Sequence, residues 1–326
     1  MNKKEFISLY RKKIRPELRS LEKSRIKLRN NILFISPFAL VAFACLSIDA
    51  NSKNQANTTT MVFICGVFFA IVSALYAGVS ILPKYKAYRR MFKQKVIGTI
   101  LEFIAPSLKL KPNQMVKEST FKKSKLFTNY NTYKGDDYIS GLIGDTKVEF
   151  SELNINKRKR SPDGKTRSVR VFHGIFFSAD FNKHLQSETI LRPDVAEQMF
   201  GSLGNALQSK LDLVSDQKLT ILENKEFEKV FKVQTTDPIE ARYCLTPKLM
   251  ESFLEINKRH SKTLHASFID TRVNIAIPFN RNLFEPNIFS TAINSKEIVE
   301  MAMMISNLVR IVDDLDLNTR IWTKTA

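Results

Sequence analysis

The sequence predicts an α+β protein: an N-terminal two-helix transmembrane hairpin, then a cytoplasmic mixed domain with an antiparallel sheet and a long C-terminal amphipathic helix. Three observations predict it. Two apolar stretches without an ionised residue, Ile32–Ile48 and Met61–Leu82, lie near the start. A two-residue apolar period sets in after residue 130. A 3.6-residue period closes the chain, running from Ile298 to Leu315.

Composition narrows the class without naming an activity. The 326 residues are 44% apolar and 25% charged, which suits a folded protein. Cys45, Cys65 and Cys244 are too sparse for a disulfide framework. A disordered, fibrous or disulfide-stapled secreted protein is thereby excluded. The formal charge of +19 is unevenly spread. Residues 1–30 hold eleven Lys or Arg against three Glu, and 84–95 hold six more with no acid. The remainder is nearly balanced, so the basic character is a poor argument for nucleic-acid binding.

Residues 1–30 read as a basic amphipathic cytoplasmic arm, with Phe6, Tyr10, Ile14, Leu18, Leu21 and Leu28 on one face. Pro16 is expected to split this helix. Such an arm either lies on an anionic inner leaflet or only orients the hairpin. Residues 31–83 form the hairpin, with spans 32–48 and 61–82. A bilayer core needs about 20 apolar residues. The second stretch meets this, and the first sits at the short limit and contains Pro37. Basic flanks put both termini on the cytoplasmic side of a bacterial inner membrane, with the neutral loop Asp49–Thr60 outside. Gly66, Ala70, Ala74 and Gly78 recur every four residues. That stripe packs within the hairpin or forms a homo-oligomer interface. Residues 84–106 read as a helical neck ending near Pro106, and 107–326 as the α+β domain.

Within the domain a helix is expected over 113–124, and strands over 136–143, 146–157 and 166–181. Apolar phase in the second strand slips between Val148/Phe150 and Leu153/Ile155, which suggests a bulge. Ser161-Pro162-Asp163-Gly164 suits a type I turn. A helix over 194–209 follows, then strands at 218–223, 227–236, 263–269 and 273–279. Helices are expected at 238–245 and at 247–258, the latter with Thr246 as N-cap and Pro247 in the first turn. Asn294 and Glu297 start the last helix.

No phosphate-binding loop, dinucleotide fingerprint, zinc-protease motif or nucleophile elbow is present. No cofactor or metal ligand set is expected. Asp314-x-Asp316-x-Asn318 imitates a calcium loop, but Thr319 stands where Gly is needed and Thr325 where Glu should chelate. His173 sits on an apolar strand face and reads as a core histidine. Asp180 and His184, flanking Lys183, could form an acid–base pair, and Cys244 is a lone thiol. These are the only catalytic candidates. Asp237, Glu240, Arg242 and Tyr243 open a helix and suit protein docking, or simply start the helix. Lys157, Arg158, Lys159, Arg160, Lys165, Arg167 and Arg170 make the densest charge in the domain. They suit an anionic surface or a solvated hairpin tip, and the lack of interleaved aromatics weighs against RNA.

Many short blocks resemble a known family. They include Lys125-Leu126-Phe127, Gly135-Asp136-Asp137-Tyr138-Ile139-Ser140-Gly141, Phe172-His173-Gly174-Ile175-Phe176-Phe177 and Asp180-Phe181-Asn182-Lys183. Phe227-Glu228, Asp237-Pro238-Ile239-Glu240-Ala241-Arg242-Tyr243, Leu245-Thr246-Pro247 and Phe268-Ile269-Asp270 follow. Ala276-Ile277-Pro278-Phe279, Phe284-Glu285-Pro286 and Leu317-Asn318-Thr319-Arg320-Ile321-Trp322 complete them. Together, over roughly 120–326, they resemble the bacterial two-pass membrane proteins called domain of unknown function 3137. The resemblance implies a membrane hairpin and a cytoplasmic domain, and it implies no catalytic residue. Three functions stay open: a membrane-anchored interaction or scaffold domain with a cytoplasmic protein partner, a membrane-bound hydrolase, and an anionic-lipid sensor.

Overall fold

The computed structural model describes residues 3–48, 56–160, 164, 166–181, 183–193, 218–220, 222, 224–260 and 264–318. The expected helix at 194–209, the turn residues 161–163, Lys165 and residues 319–326 lie outside them. The protein is a mixture of helix and antiparallel sheet with two long apolar N-terminal helices. Contacts divide it into two units: Met1–Thr99 with Phe284–Glu300, and Ile100–Leu283 with Met301–Ala326.

The first unit is built on two helical runs. One comprises α1 (Lys3–Leu9), a π-turn (Tyr10–Ile14) and α2 (Arg15–Ile48). The other comprises α3 (Ala56–Tyr76), a π-turn (Ala77–Ile81), α4 (Leu82–Phe92) and a π-turn (Lys93–Ile97), and passes at Thr99 within α5 (Gly98–Ile104) into the second unit. Pro16 does not split the arm. The wider turn at Tyr10–Ile14 precedes it and absorbs the irregularity without ending the helix. Pro37 sits inside α2, where its missing N–H frees the Leu33 carbonyl. The Ser36 hydroxyl donates to that carbonyl at 3.0 Å, so the neighbouring residue repairs the gap.

Each run contains a window long and apolar enough to cross a membrane, and hardly any of either window is buried within the protein. Phe43 is 73% exposed and Val79 75%. Below these windows the runs change character. Phe6, Tyr10, Ile14, Leu18, Leu21 and Leu28 are all buried, as are Tyr88, Phe92, Val96 and Ile97 on the other run. The arm's apolar face is therefore already covered by protein, which removes the apolar contact that lying on a leaflet would use.

The segment 284–300 completes this unit from far along the chain. The Arg25 guanidinium donates to the Ile288 carbonyl at 2.5 Å and is held by Glu22 at 2.7 Å. Glu22 also accepts from the Ala292 N–H at 2.9 Å, and the Tyr10 hydroxyl donates to the Ile293 carbonyl at 2.9 Å. The Arg25 hydrogen bond holds the Glu22 carboxyl below its usual range, against the opposing effect of burial. Glu285 takes the buried ammonium of Lys93 at 2.8 Å and the Arg89 Nε–H at 2.7 Å.

In the second unit the described residues form one nine-stranded antiparallel sheet, in the order β1-β2-β3-β4-β9-β8-β5-β7-β6. Its strands are β1 (Lys109–Lys111), β2 (Thr132–Ile143), β3 (Thr146–Arg160), β4 (Thr166–Asp180), β5 (Thr189–Pro193), β6 (Lys218–Thr220), β7 (Phe231–Thr235), β8 (His265–Ile269) and β9 (Arg272–Pro278). Helices α6 (Glu118–Lys123), α7 (Lys225–Val230), α8 (Pro238–Cys244) and α9 (Pro247–His260) accompany it. The last helix, α10 (Ser295–Asp314), begins in the first unit and ends in the second, with Asn294 accepting from the Lys296 N–H at 3.1 Å.

The sheet buries both faces. Leu153 and Ile155 join Phe121, Phe172, Phe176 and Ile190 in one cluster. Val148 and Phe150, also buried, alternate with them and point to the opposite face. The apolar slip in β3 is thus a change of face, not a bulge there. A register shift lies instead on the facing strand, where β2 runs from Asp136/Glu152 to Ile139/Phe150. Asp137 takes φ +55° within it. A second shift falls between Ile155 and Asn156.

Two expected elements change. Residues 227–236 are not one strand, because the Asn224 side chain accepts from the Glu226 and Phe227 N–H groups at 3.0 Å and starts α7. The expected helix at 113–124 shortens to α6. The Val116 N–H donates to Ser151 Oγ at 3.0 Å, and the Gln114 carbonyl accepts from the Tyr138 N–H at 3.0 Å, which ties 113–117 to the sheet.

Candidate functional site

The catalytic candidates fall on β4, on the connection after it and on α8. Asp180 ends β4 opposite Arg272, and His184 is exposed in the connection to β5. Cys244 is buried at the end of α8, and burial pushes its thiol up to about 12. An activated nucleophile needs the opposite shift. Neither cleft described below is lined by Asp180, His184 or Cys244.

On α8 the acids work internally. Asp237 caps the helix, accepting from the Ile239 N–H at 2.8 Å. Glu240 accepts from the Gln186 and Ser187 N–H groups at 3.0 and 2.6 Å. Burial raises its carboxyl pKa, but those hydrogen bonds outweigh it and hold it below the usual range. What faces outward is Ile239, 78% exposed, and Tyr243, 54% exposed. The Lys183 ammonium lies 5.4 Å over the Tyr243 ring. Arg242 lines a cleft of about 520 Å³ with Leu222, Leu245 and Met250.

The basic residues form an exposed two-stranded ribbon, with Arg158 opposite Ser168, Lys159 opposite Arg167 and Arg160 opposite Thr166. Lys157 is half-buried at its base, and Lys165 lies outside the described residues. The small-residue stripe of α3 divides. A Cβ on Gly66 would meet Cys45 Cβ at 3.0 Å, so Gly66 packs within the hairpin, whereas Gly78 faces open space. Each four-residue step drifts about 40° around a helix, which carries Ala74 and Gly78 off the Gly66 face. The calcium-loop imitation is dispersed too. Asp314 pairs with Arg259 at 2.6 Å, Asp316 with Lys248 at 3.0 Å, and Asn318 accepts from Thr146 at 2.9 Å.

Two arrangements were not anticipated. Glu152 is buried on β3, accepting from the Leu283 N–H at 3.0 Å and contacting His173 Nε2 at 3.2 Å. Asn282 Oδ1 lies 3.1 Å from the same nitrogen. Burial, with Asp136 opposite, raises the Glu152 carboxyl above its usual range.

The second is a cleft of about 1060 Å³ beside β1, β2 and β3. The register shift in β2 builds it, because segment 112–116 binds there. The Asp137 N–H donates to the Pro112 carbonyl at 3.2 Å, and the Tyr133 hydroxyl donates to the Val116 carbonyl at 2.8 Å. One polar chain runs from its lining residues Tyr138, Glu149 and Arg272 into the sheet. The Tyr138 hydroxyl donates to Glu149 at 3.1 Å, and Arg272 donates to Glu149 at 3.0 Å and to Ser178 at 2.8 Å. Ser178 then donates to Asn274 at 2.7 Å, and Asn274 to Ser267 at 3.3 Å. Burial pushes the Tyr133 and Tyr138 hydroxyls above their ordinary pKa. The signal available in sequence was the polar phase of β4, β8 and β9, where Ser178, Ser267 and Asn274 alternate with apolar residues.

These features define a class: an antiparallel-sheet unit joined to a pair of long apolar helices, with an open cleft beside the sheet. The family model described as "Protein of unknown function (DUF3137)" matches residues 170–317. The resembling blocks at 125–127 and 135–141 fall outside the match. No curated protein matches the sequence. A solved structure, the crystal structure of the mycobacterial trehalose monomycolate transport factor A, is similar at 9% identity and a TM-score of 0.31. The likeness covers 63% of this chain and 88% of that one, and is too slight to say anything of this protein.

Proposed function

We propose that the protein is a membrane-anchored interaction module, held in a bacterial inner membrane by α2 and α3 and offering its sheet unit to a partner protein in the cytoplasm. The observation that carries this reading is the pair of apolar windows left uncovered by the rest of the protein. A buried core helix would be covered, and leaving Phe43, Phe68 and Val79 in water would forgo about 2 kcal/mol for each. Helical runs of 43 and 44 residues reach about 65 Å, roughly twice a bilayer core. The apolar halves span, and the basic halves extend on the side that the positive charge selects. The docking surface in this reading is the outer side of α8, with Ile239, Arg242 and Tyr243.

The test is purification of the full chain from its native membrane in mild detergent. The protein should resist alkaline carbonate extraction. A stoichiometric partner should be lost on Ile239→Asp with Tyr243→Ala. Release by carbonate removes the anchor, and a partner that ignores both substitutions removes the α8 surface. A second reading, contact of the β3–β4 ribbon with anionic lipid, is favoured by the exposure of Arg158, Lys159 and Arg160. It predicts that Gln at these positions lowers the anionic lipid recovered with the protein.

A further inference from the structure

The cleft beside β1, β2 and β3 is not used by that reading, and its charge is unbalanced. Both of its acids are committed: Glu149 to Arg272 and Tyr138, and Glu118 to Lys122 at 3.0 Å. Lys111, Lys117 and Lys147 line the same cleft with no carboxylate in ion-pair range among the described residues. Lys111 instead lies 5.9 Å over the Tyr138 ring.

We propose that this cleft binds a phosphate-bearing organic anion, with Lys111, Lys117 and Lys147 taking the phosphate and Met115, Tyr133 and Tyr138 taking the organic body. Three surplus ammonium groups call for more than one negative charge, and a phosphomonoester carries nearly two near neutral pH. A lysine ammonium is a compact point charge that meets a tetrahedral phosphate from any side, whereas a carboxylate is best matched by a bidentate arginine. Arg272, the one arginine lining the cleft, already donates to Glu149 and Ser178. The volume of about 1060 Å³ lies near the upper end of small-molecule sites, so a whole organic group fits with its phosphate. Segment 112–116 and the β2 register shift are fixed to each other by backbone hydrogen bonds, so the cleft is formed before a ligand arrives.

Calorimetric titration of the full chain in non-ionic detergent tests this, using 1-naphthyl phosphate, hexyl phosphate and inorganic phosphate as probes. At least one ester should bind, more tightly than inorganic phosphate and more weakly as salt rises. Lys111→Gln with Lys147→Gln should weaken it by about tenfold or more. Arg158→Gln with Lys159→Gln, on the ribbon, should leave it unchanged. Both lysines are exposed, so the double variant should keep the parent's melting temperature. Repeating the titration in phosphatidylcholine nanodiscs separates the two sources of phosphate. Competition by added phosphatidic acid assigns the site to a lipid headgroup, and its absence assigns it to a free ester. Failure of both esters to bind, indifference to the cleft substitutions, or equal binding of inorganic phosphate overturns the proposal.

Discussion

His260 is buried in the sheet unit and His265 is half-buried at the start of β8, and desolvation lowers both to about 4. Neither His260 ring nitrogen has a hydrogen-bond partner, and Nδ1 of His265 has none. Both are therefore held neutral in the folded state, while an unfolded imidazole takes a proton near 6.5. A histidine whose folded value is depressed contributes stability above the unfolded value and loses it as pH falls through the window between them. Between pH 6.5 and 4 the sheet unit should lose on the order of 3 kcal/mol for each residue. His260→Gln and His265→Gln should each flatten part of that slope in denaturant titrations run across this range. An unchanged slope in both would place the acid sensitivity elsewhere. Four histidines were visible in the sequence, but the covering of two of them was not. Burial of one residue depends on strands that pair across the whole sheet.

At the scale of elements, α3 shows how a sequence stripe and a packed face part company. Gly66 meets Cys45 and Leu46 of α2, while Gly78 meets nothing within 4 Å. Gly66→Leu should destabilise the hairpin by about 1–3 kcal/mol through overpacking, and Gly78→Leu should leave its melting temperature unchanged in detergent. Equal effects would mean that the stripe acts as one surface. The two long apolar helices, the strands β3, β4, β8 and β9, and helices α8 to α10 were legible because each carries a long period or a clear cap. The register shift in β2 was placed on the wrong strand, since a strand buried on both faces loses the alternation that marks its orientation. Asn224 as a cap was missed inside a run of residues that also suits a strand. The cleft was illegible because it joins Lys111, Tyr138, Lys147 and Arg272 from four strands or their edges.

For the whole molecule, the chain does not divide at a single boundary, because Phe284–Glu300 belongs with Met1–Thr99. The tie is ionic and buried: Lys93 is 1% exposed and pairs with Glu285. Glu285→Ala should cost about 3 kcal/mol, since it takes an ion-pair partner from a buried ammonium. Adding Lys93→Met should recover most of that loss by removing the charge. Thermal unfolding of the detergent-solubilised chain reads both steps, and a double variant no more stable than Glu285→Ala would sink the assignment. Sequence periodicity alone could not reveal this tie, because the partners stand at opposite ends of the chain and no local pattern links them.

That arrangement also orders the protein's birth. The ribosome delivers the helical runs first and the segment that closes around them only after Ile100–Leu283 has emerged. Until then Arg25 and Lys93 have no Ile288 carbonyl and no Glu285 to meet. The apolar windows are complete long before the basic halves can finish packing. A part of the chain made before the sheet is thus completed only after it, and its maturation waits on the synthesis of the sheet.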